Sequence, residues 1–311
     1  MSTTTVRTAP TGRTPRRRTT PATWVRKGGL STLAFGLPLI VVFALFSWWP
    51  ILRSVVMGLQ QTNFVVTKWV GLRNFERVLA DPLLSRAVGN TVQFVGWSLL
   101  VGFPLPLLLA VFIAELRRAR GFASVLAYLP VIVPPIVAVL LWKNFYNPSP
   151  TGLFNTVLGW FGVTPSAWLN NGGLVIPAII VQATWAGFGT ATVIYLATLM
   201  TIRTELYEAA EIDGATIRRR FWHITLPQMR GVLLIMFLLQ VIGVFQMFTE
   251  PYIMTGGGPQ NRSITILMLI YRYAFVSGDY GRATALSLLL AAALGLLSAA
   301  YLWATRRWSP A

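Results

Sequence analysis

Long stretches without a charged residue alternate with short charged ones along this chain. The first apolar run, "LSTLAFGLPLIVVFALFSWWPIL", lies within residues 28–52. Others fall within 87–114, 121–142, 231–249 and 283–305. The window 144–202 is longer, and divides into an uncharged loop and an apolar run near 174–200. Each run meets the length of about 20 residues that a helix needs to cross the hydrocarbon core. Barrel strands alternate in polarity and are about half as long. The pattern therefore predicts an all-α integral membrane protein with six transmembrane helices.

Composition sharpens this picture. The 311 residues are 55% hydrophobic and only 11% charged, with a mean hydropathy of +0.62; an ordinary soluble domain is about 25% charged. One soluble core could not hide so much apolar surface, whereas lipid solvates it. The net charge of +17 would suggest nucleic acid in a soluble protein. Here the basic residues lie between apolar runs without a groove-sized cluster, so no nucleic-acid partner is expected. They instead report orientation. Six spans put both termini on one side. With that side inside, seventeen basic residues fall on inner segments (1–28, 115–120, 201–230 and 306–307) and eight on outer ones (58–87, 143–172 and 255–282). Basic residues favour the cytoplasmic side, so both termini and the loop 201–230 are expected in the cytoplasm. Residues 1–28, with seven basic residues and no acid, read as a disordered tail, and 29–311 as one membrane domain. The apolar run behind the tail is too long for a cleavable signal. Trp48, Trp49, Trp69, Trp142, Trp160 and Trp168 fall at or beyond outer span ends, where interfacial anchoring is expected.

Several chemistries are excluded. There is no cysteine, and His223 is the single histidine, so thiolate catalysis, cysteine-ligated metal and a multi-histidine metal site are ruled out. Lys27, Lys68 and Lys143 are the only lysines, and none ends the Gly-rich loop of an ATP site. No catalytic residue, metal site or resident cofactor is expected. Ion-coupled carriers need ionisable groups at membrane depth; here Arg53 and Glu250 lie only at span ends. Energy for uphill transport would have to enter from elsewhere. Prolines at 38, 104, 106, 130, 134 and 135 predict kinked spans, most strongly in "LPVIVPP" of the third.

Against this apolar background, "ELYEAAEIDGATIRRRFWHITLP" (205–227) holds four of the nine acidic residues within nine positions, followed by Arg218–Arg220. It reads as two short helices. Thr204 is the expected N-cap of the first, over about 205–212, with Glu205 and Glu208 near the positive end of its dipole. Gly214 follows Asp213 where a left-handed turn must end that helix. The second runs from about 216 to 223, with Ile217, Phe221 and Ile224 on one apolar face. Pro227 opens the fifth span. The product is a compact helix–turn–helix knob.

Glu208-Ala209-Ala210, then Gly214, then Ile224-x-Leu226-Pro227, resembles the EAA loop of binding-protein-dependent ABC importer permeases. Asp213, Ala215 and Phe221 also match; Gly231 stands where that family often has proline. The resemblance implies the type I ABC importer permease fold in a bacterial inner (cytoplasmic) membrane. It implies that this loop is a coupling helix seated in a separate ATPase subunit, which would hold the ATP and Mg and carry out hydrolysis. Glu208 would be the polar anchor, Gly214 would set the turn, and Leu206, Ala209, Ala210, Ile217 and Phe221 would form packing surfaces. "GLRNFERVLADPLLSRAVGNT" (71–91) and "MTGGGPQNRSITI" (254–266) are similar to outer segments of carbohydrate permeases, the second resembling the first permease subunit of maltose-, lactose- and glycerol-3-phosphate-type importers. The partners implied are ATPase subunits, a second homologous permease, an extracytoplasmic solute-binding protein and a sugar.

Sugar contacts need hydrogen-bonding side chains beside aromatic faces. The fourth span offers Gln182 and Trp185, and the fifth Gln240, Phe245, Gln246 and Glu250, with Gln246 and Glu250 four apart on one face. Polar residues in spans also join helices to one another, and the residues alone leave both roles open. Thr255, Gly256, Gly257, Gly258 and Pro259 form a side-chain-poor turn, either a plain loop or a place where a docking protein approaches the backbone. A channel or ATP-independent carrier, an importer of another solute, and a membrane-embedded enzyme are the competing readings.

Overall fold

The computed structural model describes residues 29–63, 65–116 and 118–306; the basic tail 1–28 lies outside them. The chain divides into two units at Arg53/Ser54. In the first, α1 (Gly29–Phe43) passes through a π-helical turn, Ala44–Trp48, into α2 (Trp49–Gly58). Apolar side chains from Phe35 to Leu52 are exposed all round this helix, as lipid contact requires.

The second unit begins with the end of α2 and a small antiparallel hairpin, β1 (Gln60–Thr62) and β2 (Thr67–Trp69), with Gln60 opposite Trp69. A short α3 (Arg73–Leu79) leads to α4 (Pro82–Trp97), which continues through a π turn into α5 (Pro104–Glu115). Next come α6 (Arg120–Ile132), α7 (Pro135–Phe145) and a short α8 (Leu153–Gly159). The long α9 (Val175–Leu199) is followed by α10 (Thr204–Ile212), α11 (Ile217–Arg220) and α12 (Leu226–Phe245). Then α13 (Thr249–Thr255), α14 (Ile266–Tyr271) and α15 (Tyr280–Thr305) complete it.

Among the described residues, five helical stretches are long and apolar enough to span a membrane, and α6 with α7 makes a sixth if that bent pair is one span. The third predicted span is therefore broken, by 91°. A residue before proline is pushed out of the helical region. Two successive such positions, Val133 (ψ 127°) and Pro134 (ψ 132°), are both extended. The other prolines behave differently. Pro50, Pro104 and Pro227 each follow a π turn (Ala44–Trp48, Ser98–Gly102, Phe221–Thr225) that contains the residue four positions upstream. A proline ring clashes with that carbonyl, and the widened turn accommodates it without ending the helix.

Three apolar clusters hold the second unit together. At the end bearing α10, Leu107, Ala110, Ile113, Ala127, Tyr195, Leu196 and Met229 pack α5, α6, α9 and α12. Further along, Phe94, Val139, Ile176, Ile179 and Met254 join α4, α7, α9 and α13. At the far end, Ile264, Met268, Leu269 and Tyr273 pack beneath Val78, Ala87 and Leu286. Buried and half-buried polar groups fasten the far-end loops. Asn74 donates to the Gly58 and Gln60 carbonyls at 3.0 and 2.9 Å. Asp81 caps α4 through Leu83 N (2.8 Å) and accepts from Tyr273 Oη and Arg282 Nη2, both at 2.5 Å. Asn90 donates to the carbonyls of Asn261 (2.7 Å) and Ile264 (2.9 Å). Asn155 Nδ2 faces four loop carbonyls, of 147, 148, 149 and 166, while its Oδ1 accepts from Ser166 N and Trp168 Nε1. Trp142 and Trp168 are half-buried, and both sit in an aromatic cluster with Tyr146 and Phe154.

Candidate functional site

The charged loop folds as a knob. Its first helix starts at Thr204, so Thr204 is not the N-cap; Arg203 occupies that position and makes no side-chain cap. The helix ends on Gly214 at φ +70°. Ala215 N donates to Ala210 O at 2.8 Å and Gly214 N to Glu211 O at 3.0 Å, the paired bonds of a Schellman turn. Thr216 then caps α11 by accepting from Arg219 N. The second helix does not stop near 223. Residues Ile217–Phe245 form one continuous 29-residue helix, widened at Phe221–Thr225, so the knob and the fifth span are a single rod. Glu211 pairs with Arg220, and Tyr207 Oη lies 3.0 Å from Thr225 Oγ1; both contacts strap α10 to that rod.

The expected apolar face of the second helix is split. Ile217 is 66% exposed, whereas Phe221 and Leu226 pack against the core and Ile224 is half-buried. Leu206 and Ala210 are half-buried; Glu208, Ala209, Asp213 and Pro227 are exposed. Ile212 and Trp222, not singled out from the sequence, are also exposed. Ile212 could have been noticed as an apolar residue within an acidic run. Glu208 lines a cavity of about 330 Å³ with Glu115, Arg120, Glu211 and Arg220. His223 is exposed, its Nδ1 2.9 Å from Arg219 O.

A second cavity, about 300 Å³, lies between α4–α5, α9 and α12. Gln240 Nε2 donates to Ser98 Oγ at 2.5 Å in its wall. Thr184 completes a polar trio around Gly102, where an added Cβ would lie 3.0 Å from Thr184 Oγ1, 3.2 Å from Gln240 Nε2 and 3.4 Å from Ser98 Oγ. Ser98 and Thr184 were not legible in the sequence, because single hydroxyls are common in spans. Of the six path residues expected, only Gln240 lines this cavity. Gln182 is 1% exposed with Oε1 unpartnered, and Trp185 packs on Trp142 at 5.5 Å. Phe245 packs toward the far-end cluster. The rod ends at Phe245, with Gln246 as its C-cap. Glu250 belongs to the next helix, so the two do not share a helical face.

The turn 255–259 is less open than its glycines suggest. Gly257 is buried, and a Cβ there would meet Met268 Cε at 3.3 Å and Arg272 Nη2 at 3.5 Å. Thr255 Oγ1 lies 2.7 Å from Ser263 Oγ, which donates to Gly258 O at 2.7 Å. Arg272 Nη2 donates to Gly256 O at 3.3 Å. Gly256 is exposed, and Gly258 and Pro259 are half-buried. Pro259 borders a polar pocket of about 350 Å³ with Asn170, Gly172, Gly173, Gln260 and Arg262.

Comparison with known proteins places this architecture. The arabinooligosaccharides transport system permease protein of Bacillus subtilis is 31% identical, over 82% of this chain and 82% of that one. The trehalose/maltose transport system permease protein of Thermococcus litoralis is 35% identical, over 81% of this chain and 86% of the other. Among solved structures, a bacterial alginate ABC transporter in complex with an alginate pentasaccharide-bound periplasmic protein superposes with a TM-score of 0.80 at 27% identity, covering 91% of this chain and 97% of that chain. Residues 102–310, which include the knob, the rod and all of the mid-span cavity's lining except Ser98, match the family model for the inner membrane component of binding-protein-dependent transport systems, and the chain belongs to that family.

Proposed function

We propose that this chain is a permease subunit of an ATP-driven carbohydrate importer and that the rod Ile217–Phe245 couples its energy source to its solute path. The observation carrying this reading is the rod's continuity. Gln240 lies 23 residues beyond Ile217, about 35 Å along one helix at 1.5 Å per residue. A push on the knob therefore reaches the cavity wall without crossing a loop. The knob offers exposed Ile212 and Ile217 beside exposed carboxylates at Glu208 and Asp213, a surface suited to a groove in a separate ATPase subunit. That subunit would hold ATP and Mg. Closure of two such subunits would draw this knob toward that of a second, homologous permease, and the spans would rock between inward- and outward-facing states.

The cavity chemistry suits a neutral polyol. Ser98, Thr184 and Gln240 supply hydroxyl and amide groups that both donate and accept, without an ion that would demand a counter-charge. Phe188 and Met236 supply apolar walls. Sugar names among the relatives support the same class. Delivery would come from an extracytoplasmic solute-binding protein at the far end, where Gly256 and the rim of Pro259, Gln260 and Arg262 are reachable. The knob end is assigned to the cytoplasm by the basic-residue bias.

The test is purification of the tagged chain from its native membrane in mild detergent. An ATPase and a second permease should accompany it in fixed ratio, and the reconstituted complex should take up oligosaccharide only with ATP. A chain recovered alone, or uptake indifferent to ATP, would overturn the proposal.

A further inference from the structure

A fourth cavity, of about 550 Å³, opens on the flank of the bundle between residues 231–239 of α12 and the last turns of α15. Leu234, Ile235 and Leu238 form one wall, and Leu302 and Trp303 the other. Ile235, Leu302 and Trp303 are 59%, 56% and 78% exposed. Tyr301 spans the floor: its hydroxyl donates to Leu234 O at 2.9 Å and its ring stacks on Phe237 at 5.7 Å. That contact pins the helices together and leaves the groove beside it open.

The groove is apolar along its length and basic at one end. Arg306, the residue after α15, lines it. Arg230 is exposed and lies one turn before Leu234, on the same helix face. Gly231 between them carries no side chain to close the gap. Among the described residues, no acidic one lines the groove. Both arginines fall at the knob end, where the spans meet the membrane surface, and exposed Trp303 marks the same level. A protein helix laid here would cover two guanidinium groups and require carboxylates to match them. A lipid phosphate meets that requirement while its acyl chain fills the groove, and basic pockets between transmembrane helices are known to hold anionic headgroups.

We propose that this groove is a binding site for one anionic glycerophospholipid, with an acyl chain between α12 and α15 and the phosphate at Arg306, flanked by Arg230.

The test uses the chain with whatever subunits accompany it from its native membrane, in nanodiscs of phosphatidylcholine. The probe is phosphatidylglycerol carrying a photoactivatable acyl chain, and labelled peptides are mapped by mass spectrometry. Label is expected on peptides spanning Ile235–Leu239 and Leu302–Thr305. Arg306→Gln should reduce it several-fold, Arg306→Lys should restore it, and Leu238→Trp, which fills the groove without changing charge, should abolish it. Size-exclusion elution as in the unmodified complex shows that each variant is folded. Equal labelling by a phosphatidylcholine probe, or undiminished labelling in Arg306→Gln, would overturn the proposal. So would a protein occupant: the chain has no cysteine, so Ile235→Cys gives a unique handle. Its crosslinking in the native membrane to another protein, with the lipid probe silent, is the opposing result.

Discussion

Replacing Gly214 tests the knob through its backbone alone. Its φ is +70°, and beyond its chain neighbours no atom lies within 4 Å of where a Cβ would be. A new side chain thus meets open space, and any penalty comes from the left-handed conformation. For an L-residue that costs about 1–2 kcal/mol, with a β-branched residue at or above the upper end and asparagine well below it. At stake are the bonds from Ala215 N to Ala210 O and from Gly214 N to Glu211 O, which fix the angle between α10 and the rod. A penalty of about 2 kcal/mol shifts the population of the native turn by roughly thirtyfold against any competing one. ATP-dependent uptake by the reconstituted complex should therefore fall in the order Gly and Asn, then Ala, then Val. Co-purification of the ATPase should fall in the same order. Full coupling in Gly214→Val would refute the argument. So would Gly214→Asn as impaired as Gly214→Val, since the effect would then follow side-chain size at a protein contact and not φ.

Three further outcomes are expected. Gln240→Leu leaves the 2%-exposed Ser98 hydroxyl without its 2.5 Å partner, a loss of about 1–3 kcal/mol. It should raise KM for uptake while ATPase co-purification persists, whereas Gln182→Leu, which removes a buried carbonyl oxygen that has no partner, should leave KM unchanged and hold or raise the unfolding temperature. Gly281→Ala would put a Cβ 2.0 Å from the Gln60 carbonyl oxygen and 2.8 Å from Asn74 Nδ2; the overlap should cost about 1–3 kcal/mol and lower the thermal midpoint in detergent. Burial would raise the pKa of Asp81, but hydrogen bonds from Tyr273 and Leu83 N and the charge of Arg282 outweigh it and hold the carboxyl below its ordinary value. A depressed carboxylate pKa contributes stability that is complete above the unfolded value, about 3.9, and is lost as pH falls through the folded one. The difference in thermal midpoint between wild type and Asp81→Asn should therefore be constant from pH 7 to 5 and shrink below about pH 4; a difference independent of pH down to 3 would contradict the assignment.

Residues 71–91 illustrate how a motif becomes structure. Their spacing resembled a permease loop, but nothing local explained it. Asn74 binds carbonyls of 58 and 60, Asp81 meets Arg282 two hundred positions away, and Asn90 holds the turn at 261–264. Each partner is distant in sequence, so the motif could be recognised without its purpose being readable. The same holds for the mid-span cavity. Gln240 could be picked out because an amide in a span is conspicuous, while Ser98 and Thr184 gained meaning only when three helices met around Gly102.

What the sequence determined by itself was everything governed by local or one-dimensional physics. Charge-free length fixed the number of spans to within the broken third one, because lipid demands about 20 apolar residues per crossing. The left-handed turn at Gly214 was legible, because a helix ending on Asp-Gly has few backbone choices. Tertiary structure decided the rest. It joined the second half of the knob to the fifth span as one rod, turning a predicted helix end into a π turn at Phe221–Thr225. It ended that rod at Phe245 and so separated Gln246 from Glu250. It turned Gly257 inward beneath Met268 and Arg272. Pro227 and the widened turn lie in one short window, and so do Gly257 and Arg272, but the packing of the helices around them decides which of the locally allowed conformations is kept.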